Sequence, residues 1–167
     1  MSYIFESYQK NYTDVELIKI FNITSSPMVE GGSDCDGLSF PGNPYDLIIK
    51  NPRSMWHTKL NMYGWLIFEY PSKLMTITGY RIWAPNGCCT LQNHYLKGSN
   101  DGVDWNQIAY VNSNTPIENR GKWATYKVPE STYRMYKIEE EQSSFGSNCG
   151  TWFGLRKVDF SQIKSKK

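Results

Sequence analysis

Turn residues interrupt this chain at short intervals: Ser26-Pro27, Gly31-Gly32, Pro41-Gly42, Asn51-Pro52, Asn86-Gly87 and Asp101-Gly102, then Pro116, Pro129, Phe145-Gly146 and Phe153-Gly154. Glycine reaches positive φ at no steric cost, and proline withholds the N–H that a helix or a central strand needs. Little room is left for long helices. Short strands separated by such turns predict an all-β sandwich or barrel.

The runs between the turns read as strands. Residues 15–25, VELIKIFNITS, are apolar and β-branched, and residues 64–71 and 74–84 pair around Pro71-Ser72-Lys73. In the second of that pair, a period of two puts Met75, Ile77 and Trp83 on one face and Leu74, Thr76, Thr78, Tyr80 and Ile82 on the other. Residues 95–99 and 105–111 flank the Asp-Gly turn, and residues 123–129, 133–140 and 152–163 bring the total to at least eight strands, without an internal repeat. Residues 26–46 form a long turn-rich loop, of the kind that is usually functional or flexible. The first residues hold Tyr3, Phe5, Tyr8 and Tyr12 outside any clear strand, as an aromatic arm that packs on its own sheet or enters a partner. The expected organisation is an N-terminal arm (1–14), a β-sandwich (15–163) and a basic tail (164–167).

Length and composition exclude several classes. A chain of 167 residues suits one core, and its 40% hydrophobic and 15% aromatic content separates it from disordered sequences. No apolar run approaches the roughly 20 residues of a spanning helix, so membrane insertion is not expected. The N-terminus has no basic segment followed by an apolar one, and a cytoplasmic location is expected. Cys35, Cys88, Cys89 and Cys149 are then read as free thiols, and with His57 and His94 they match no zinc-ligand spacing, so neither metal nor cofactor is expected. A net charge of +2 is too small to argue for nucleic acid. No spaced set of nucleophile, base or paired carboxylates is present, and catalysis is not expected.

Taken together, GWLIFEYP, ITGYRIW, YRMYKI, LRKVDF and above all Leu96-x-Gly98-Ser99-x-Asp101-Gly102-x-x-Trp105-x-x-Ile108 resemble the discoidin, or coagulation factor type C, domain. The resemblance spans residues 15–163 and implies a jelly-roll β-sandwich of the galactose-binding-like kind. It implies that the Asp-Gly motif is scaffold, with Trp105 in the core. Where the family carries acidic calcium ligands in its first binding loop, this chain has Asp46 to Trp56, DLIIKNPRSMW, with Ile49, Lys50 and Asn51 at the key places, which implies that the calcium site is lost. Asp159, left without such partners, reads as a solvated carboxylate.

Two functions follow as expectations. A domain of this kind without catalytic or metal residues fits a non-enzymatic, intracellular protein-binding module, a structural part of an assembly such as ciliary or flagellar microtubules with tubulin as a partner. Tyr3, Phe5 and Tyr8 of the arm and Lys164, Lys166 and Lys167 of the tail would hold that partner. The alternative is a galactose-type lectin or adhesion domain. The sugar-binding relatives combine a stacking aromatic with Arg, His and Asn, for which Arg53, His57, Asn86, His94, Asn148 and Trp152 are the candidates.

Overall fold

Alternating side chains and tight turns produce two antiparallel sheets packed face to face, as the inner and outer residues of each strand require. The computed structural model describes residues 2–27, 43–50, 56–57, 63–84, 91–112, 122–143 and 153–163. In chain order these contain β1 (Ser2–Tyr3), α1 (Ile4–Gln9), α2 (Asp14–Ile20), β2 (Asn22–Ser25), a 3-10 turn (Pro44–Leu47), β3 (Trp56–His57), β4 (Trp65–Glu69), β5 (Met75–Trp83), β6 (Leu91–Ser99), β7 (Asn106–Val111), β8 (Trp123–Tyr133), β9 (Met135–Ser143), β10 (Gly154–Leu155) and β11 (Lys157–Gln162). One sheet runs β1-β11-β5-β8, the other β2-β4-β9-β6-β7, and β10 pairs with β3.

The core lies between the sheets. Leu66, Phe68, Leu96, Tyr136 and Ile138 come from the five-stranded sheet, and Ile77, Tyr80, Ile82, Val158 and Phe160 from the four-stranded one, all essentially excluded from water. Phe160 ties the layers together, with ring centroids 5.2 Å from Phe68 and 5.4 Å from Tyr136. Such contacts add about 0.5–1.5 kcal/mol each beyond the area they bury.

Several expectations change on contact with this packing. The first concerns residues 15–25, which divide into helix α2 and strand β2. Thr13 and Glu16 form a reciprocal capping box: the Thr13 side chain accepts from Glu16 N at 3.2 Å and Glu16 Oε2 accepts from Thr13 N at 2.7 Å. With Leu17 and Phe21 buried at a spacing of four, the cap and one apolar stripe outweigh the β-branched content.

The second is the arm. Residues 2–9 do not stand apart: β1 pairs with β11 through Ser2–Gln162 and Tyr3–Ser161, and Phe5, 1% exposed, packs against Phe21 (4.9 Å), Phe68 (5.9 Å) and Phe160 (6.1 Å). Tyr8 is half-buried, with its hydroxyl 2.8 Å from that of Tyr70. A phenylalanine in that position is core and cannot anchor a partner.

The third is the facing of β5. Its pairing with β8 shifts between Ile77 and Gly79, so Met75 and Ile77 point inward before the shift and Tyr80 and Ile82 after it, leaving Arg81 and Trp83 on the outer face. One extra residue at a bulge reverses every later side chain. The same irregularity accommodates Pro129, which falls in the unpaired stretch of β8 between Lys127 and Ser131.

The Asp-Gly motif is scaffold, as the resemblance implied. Gly102 has φ +77°, Ser99 Oγ accepts from Gly102 N at 2.9 Å, and Asp101 Oδ1 accepts from Val103 N at 2.8 Å and Asp104 N at 2.9 Å. Gly98 is required because a Cβ there would come within 2.3 Å of the Tyr133 ring. Trp105, however, is not in the core. It is half-buried on the outer face, where its indole N–H donates to Gly102 O at 3.2 Å and the Lys137 ammonium lies 4.4 Å from its ring centre.

Candidate functional site

The strand registers define two ends of the sandwich. Short turns close one of them, at residues 70–74, 100–105 and 134, where Glu69 and Ser99 both pair with Met135 and Met75 pairs with Tyr133. At the other end lie Ser25, Trp65, Trp83, Leu91, Trp123 and Lys157, and the chain there passes into longer connections. Of the sugar-site candidates, Arg53, Asn86, Asn148 and Trp152 lie outside the described residues, as do Lys164, Lys166, Lys167 and the four cysteines. His57 is placed as a backbone position, beside Gly154 in the β3–β10 pair.

His94 does not belong to a binding surface. It is fully buried, its Nε2 is 2.7 Å from the Tyr80 hydroxyl, and burial lowers its pKa to about 4. Trp56, next to His57, is also core: it packs 5.4 Å from Phe153 and its indole N–H donates to Ser25 Oγ at 3.3 Å.

What the structure does assemble at the loop-bearing end is a cavity of about 260 Å³ on the outer face of the four-stranded sheet. Because Trp83 pairs across to both Trp123 and Lys157, these three side chains form one row, and Arg81 and Asp159 form the next. Glu6 and Gln9 of α1 border the cavity on one side, and Leu47, Ile49 and Lys50 on another. The two indoles meet edge to face, 5.4 Å apart at 74°.

Arg81 holds the floor in place. Its guanidinium is sandwiched between the Tyr3 ring at 3.6 Å and the Trp123 ring at 4.0 Å, with Glu6 at 3.5 Å and Asp159 at 3.9 Å. Tyr3 thus has a use that differs from partner binding: it stacks on the arginine that orients Trp123. Asp159, read from sequence as solvated, is buried and accepts from Phe5 N (2.8 Å), Glu6 N (3.0 Å) and Phe160 N (2.9 Å). Burial raises its pKa to about 6 against the pull of those donors and of Arg81. Lys157 is moved the other way, to about 8, also by burial, and its ammonium donates to the Asp46 carbonyl at 2.6 Å. Arg156 lies 5.5 Å from the Trp83 ring centre.

Aromatic faces flanked by charged hydrogen-bonding groups suit a ligand that is apolar on its faces and polar at its edges, as a sugar ring is. The volume lies near the lower bound of about 300–1,000 Å³ usual for small-molecule sites, which fits a unit of one or two rings. Among the described residues no cluster of three or more His, Cys, Asp or Glu could hold a metal ion, and no helix is long and apolar enough to cross a membrane. Sequence reasoning missed Arg81, Trp83, Trp123 and Arg156. The Arg81-x-Trp83 spacing places both on one face, but only the bulge at Ile77–Gly79 turns that face outward.

No protein-family model and no curated protein matches the chain. Solved structures do. One is a family 32 carbohydrate-binding module from Clostridium perfringens in complex with GalNAc-beta-1,3-galactose, at TM-score 0.66 and 15% identity over 86% of this chain and 96% of that one. The C-terminal domain of a chitobiase from Bacteroides fragilis matches at TM-score 0.66 and 18% identity, covering 86% and 94%. The family 32 module of C. perfringens NanJ, in complex with galactose, matches at TM-score 0.61 and 15% identity, covering 85% and 93%. At such identities the likeness is one of fold alone: this chain has a galactose-binding-like jelly-roll fold, as the family 32 carbohydrate-binding modules do.

Proposed function

We propose that the chain is a non-catalytic carbohydrate-binding module whose saccharide sits in the Trp83–Trp123 cavity. The observation that carries the reading is this cavity, two tryptophans flanked by Arg81 and Arg156, at the loop-bearing end of a fold shared with saccharide-binding modules. The comparisons favour it over a cytoskeletal scaffold, since three of the neighbours were solved with galactose, GalNAc-beta-1,3-galactose or chitotriose bound, and another binds pectin. The arm residues offered for a protein partner are taken up within the fold: Phe5 in the core, Tyr8 against Tyr70, and Tyr3 on Arg81.

The test is isothermal titration calorimetry of the purified chain against a panel of mono- and oligosaccharides selected on a glycan array. Trp83→Ala and Trp123→Ala are each expected to weaken binding by about tenfold or more, the effect of losing a buried aromatic contact in a small site. A saccharide bound equally well by both variants places the site elsewhere. Retention of no saccharide at all contradicts the reading.

A further inference from the structure

Tyr3 does not border the cavity, yet it holds a side chain that does. The Arg81 guanidinium lies between two rings, with the centre of Tyr3 3.6 Å away and that of Trp123 4.0 Å away. These three side chains come from β1, β5 and β8, and the sheet pairing brings them together. Tyr3 pairs with Ser161 and Arg81 with Asp159, both on β11, while Arg81 also pairs with Thr125 on β8. Arg81 and Trp123 line the cavity, so the stack starts in the N-terminal segment and ends at the cavity wall.

Trp123 stands at the first position of an edge strand, with a neighbouring strand on one side only. Its indole meets Trp83 edge to face at 5.4 Å, and the Arg81 guanidinium covers its ring. The carboxylates beside Arg81 do not fix that guanidinium. Glu6 at 3.5 Å and Asp159 at 3.9 Å lie beyond the roughly 2.7–2.9 Å of a good charge-assisted hydrogen bond, and Arg81 Nε is buried without an acceptor among the described residues. They attract the guanidinium without setting its plane, which is left to the two rings. Removing the Tyr3 ring bares one face of the guanidinium, which can then tilt toward Glu6 and release Trp123.

We propose that Tyr3 is a positioning residue of the saccharide site: through Arg81 it holds the Trp123 indole in the orientation that the sugar ring meets, so that the segment of β1 and α1 is part of the binding apparatus. This rests on the carbohydrate reading and adds to it a residue outside the cavity. A wall already in place before the ligand arrives has less ordering to do on binding, and affinity rises accordingly. The ring of Tyr3 serves this role, and its hydroxyl does not enter.

The experiment is calorimetric titration of the full chain, with thermal melts alongside, using the tightest binder among galactose, GalNAc-beta-1,3-galactose, chitotriose and the array-selected saccharides. At a temperature where every variant is folded, Tyr3→Ala is expected to weaken binding about fivefold or more. Tyr3→Phe keeps the ring and should bind within about twofold of the parent chain. Tyr8→Phe loses the bond to Tyr70 in the same segment, and its ring lies against Phe21 and Tyr70 rather than Arg81, so it should keep the parent affinity whatever it does to the melt. Should Tyr3→Ala fail to fold, Tyr3→Leu, which has bulk without a ring face, is read in its place with the same weakening expected. Parent affinity in that variant despite a lower melt makes Tyr3 structural only, which overturns the inference and leaves the carbohydrate reading standing. Equal weakening in Tyr3→Phe, or in Tyr8→Phe, also overturns it, since the ring on Arg81 is then not the cause. If the parent chain binds none of these saccharides, both readings fall.

Discussion

Asp159 sets the terms at the scale of single residues. A lone aspartate in a final strand reads as a surface group, yet here it is buried and accepts the backbone N–H groups of Phe5 and Glu6, more than 150 residues away in sequence. Its folded pKa, raised by burial to about 6 from 3.8, means that the folded chain holds the proton over a range where the unfolded chain has released it. Stability from this group is therefore fully present below about pH 4 and declines as pH rises to about 6, where the loss levels off at roughly 2–3 kcal/mol. Arg81 and Glu6 are the charged side chains facing it. His94 slopes the opposite way: its pKa is lowered by burial to about 4, so its contribution is lost as pH falls from about 6.5. Comparing Asp159→Asn with the parent chain isolates the aspartate. In urea unfolding, the variant is expected to improve relative to the parent on going from about pH 4.5 to about pH 7. A difference between the two proteins that stays constant with pH would mean the carboxylate is not buried as described.

At the scale of elements, the N-terminal segment is the decisive case. β1 extends the four-stranded sheet, α1 supplies the N–H groups that meet Asp159, and Phe5 sits between Phe21 and Phe160. Deleting residues 1–9 is expected to cost about 3–5 kcal/mol from the loss of Phe5 alone, with further loss from the exposed Asp159, and to lower the melting temperature sharply. An arm separate from the sandwich would leave the melt unchanged. The contrast also shows what sequence could reveal. Strands β4, β5, β6, β7, β9 and β11 are legible because alternation and turn residues are local signals, and the Ser99–Gly102 turn is legible residue by residue. Helix α2 is signalled only by Thr13-x-x-Glu16, which competes with a strongly β-branched run. The outward facing of Arg81 and Trp83 depends on an irregularity at Ile77–Gly79 whose one local sign is Gly79, a lone glycine that many strands also carry without a bulge. The candidate site is harder still, because Tyr3, Arg81 and Trp123 meet only through sheet pairing between distant strands.

At the scale of the whole molecule, the two ends of the sandwich divide the work. Tight turns close one end and fix the registers, including the bond from Arg134 N to Asn100 Oδ1 at 3.0 Å. The other end carries the long connections, and beside it the indole pair, the arginines and the helix α1 border enclose a cavity. Phe5, packed against Phe21 and Phe160, fastens the α1 side of that border to the core. The central claim, that a saccharide occupies this cavity, is tested most directly by titrating the isotopically labelled chain with an array-selected saccharide and following the indole N–H resonances by NMR. The account predicts that the Trp83 and Trp123 signals shift in a saturable way while those of the core Trp56 and the remote Trp105 stay put. Saturable shifts confined to other signals, with Trp83 and Trp123 unmoved, would contradict it.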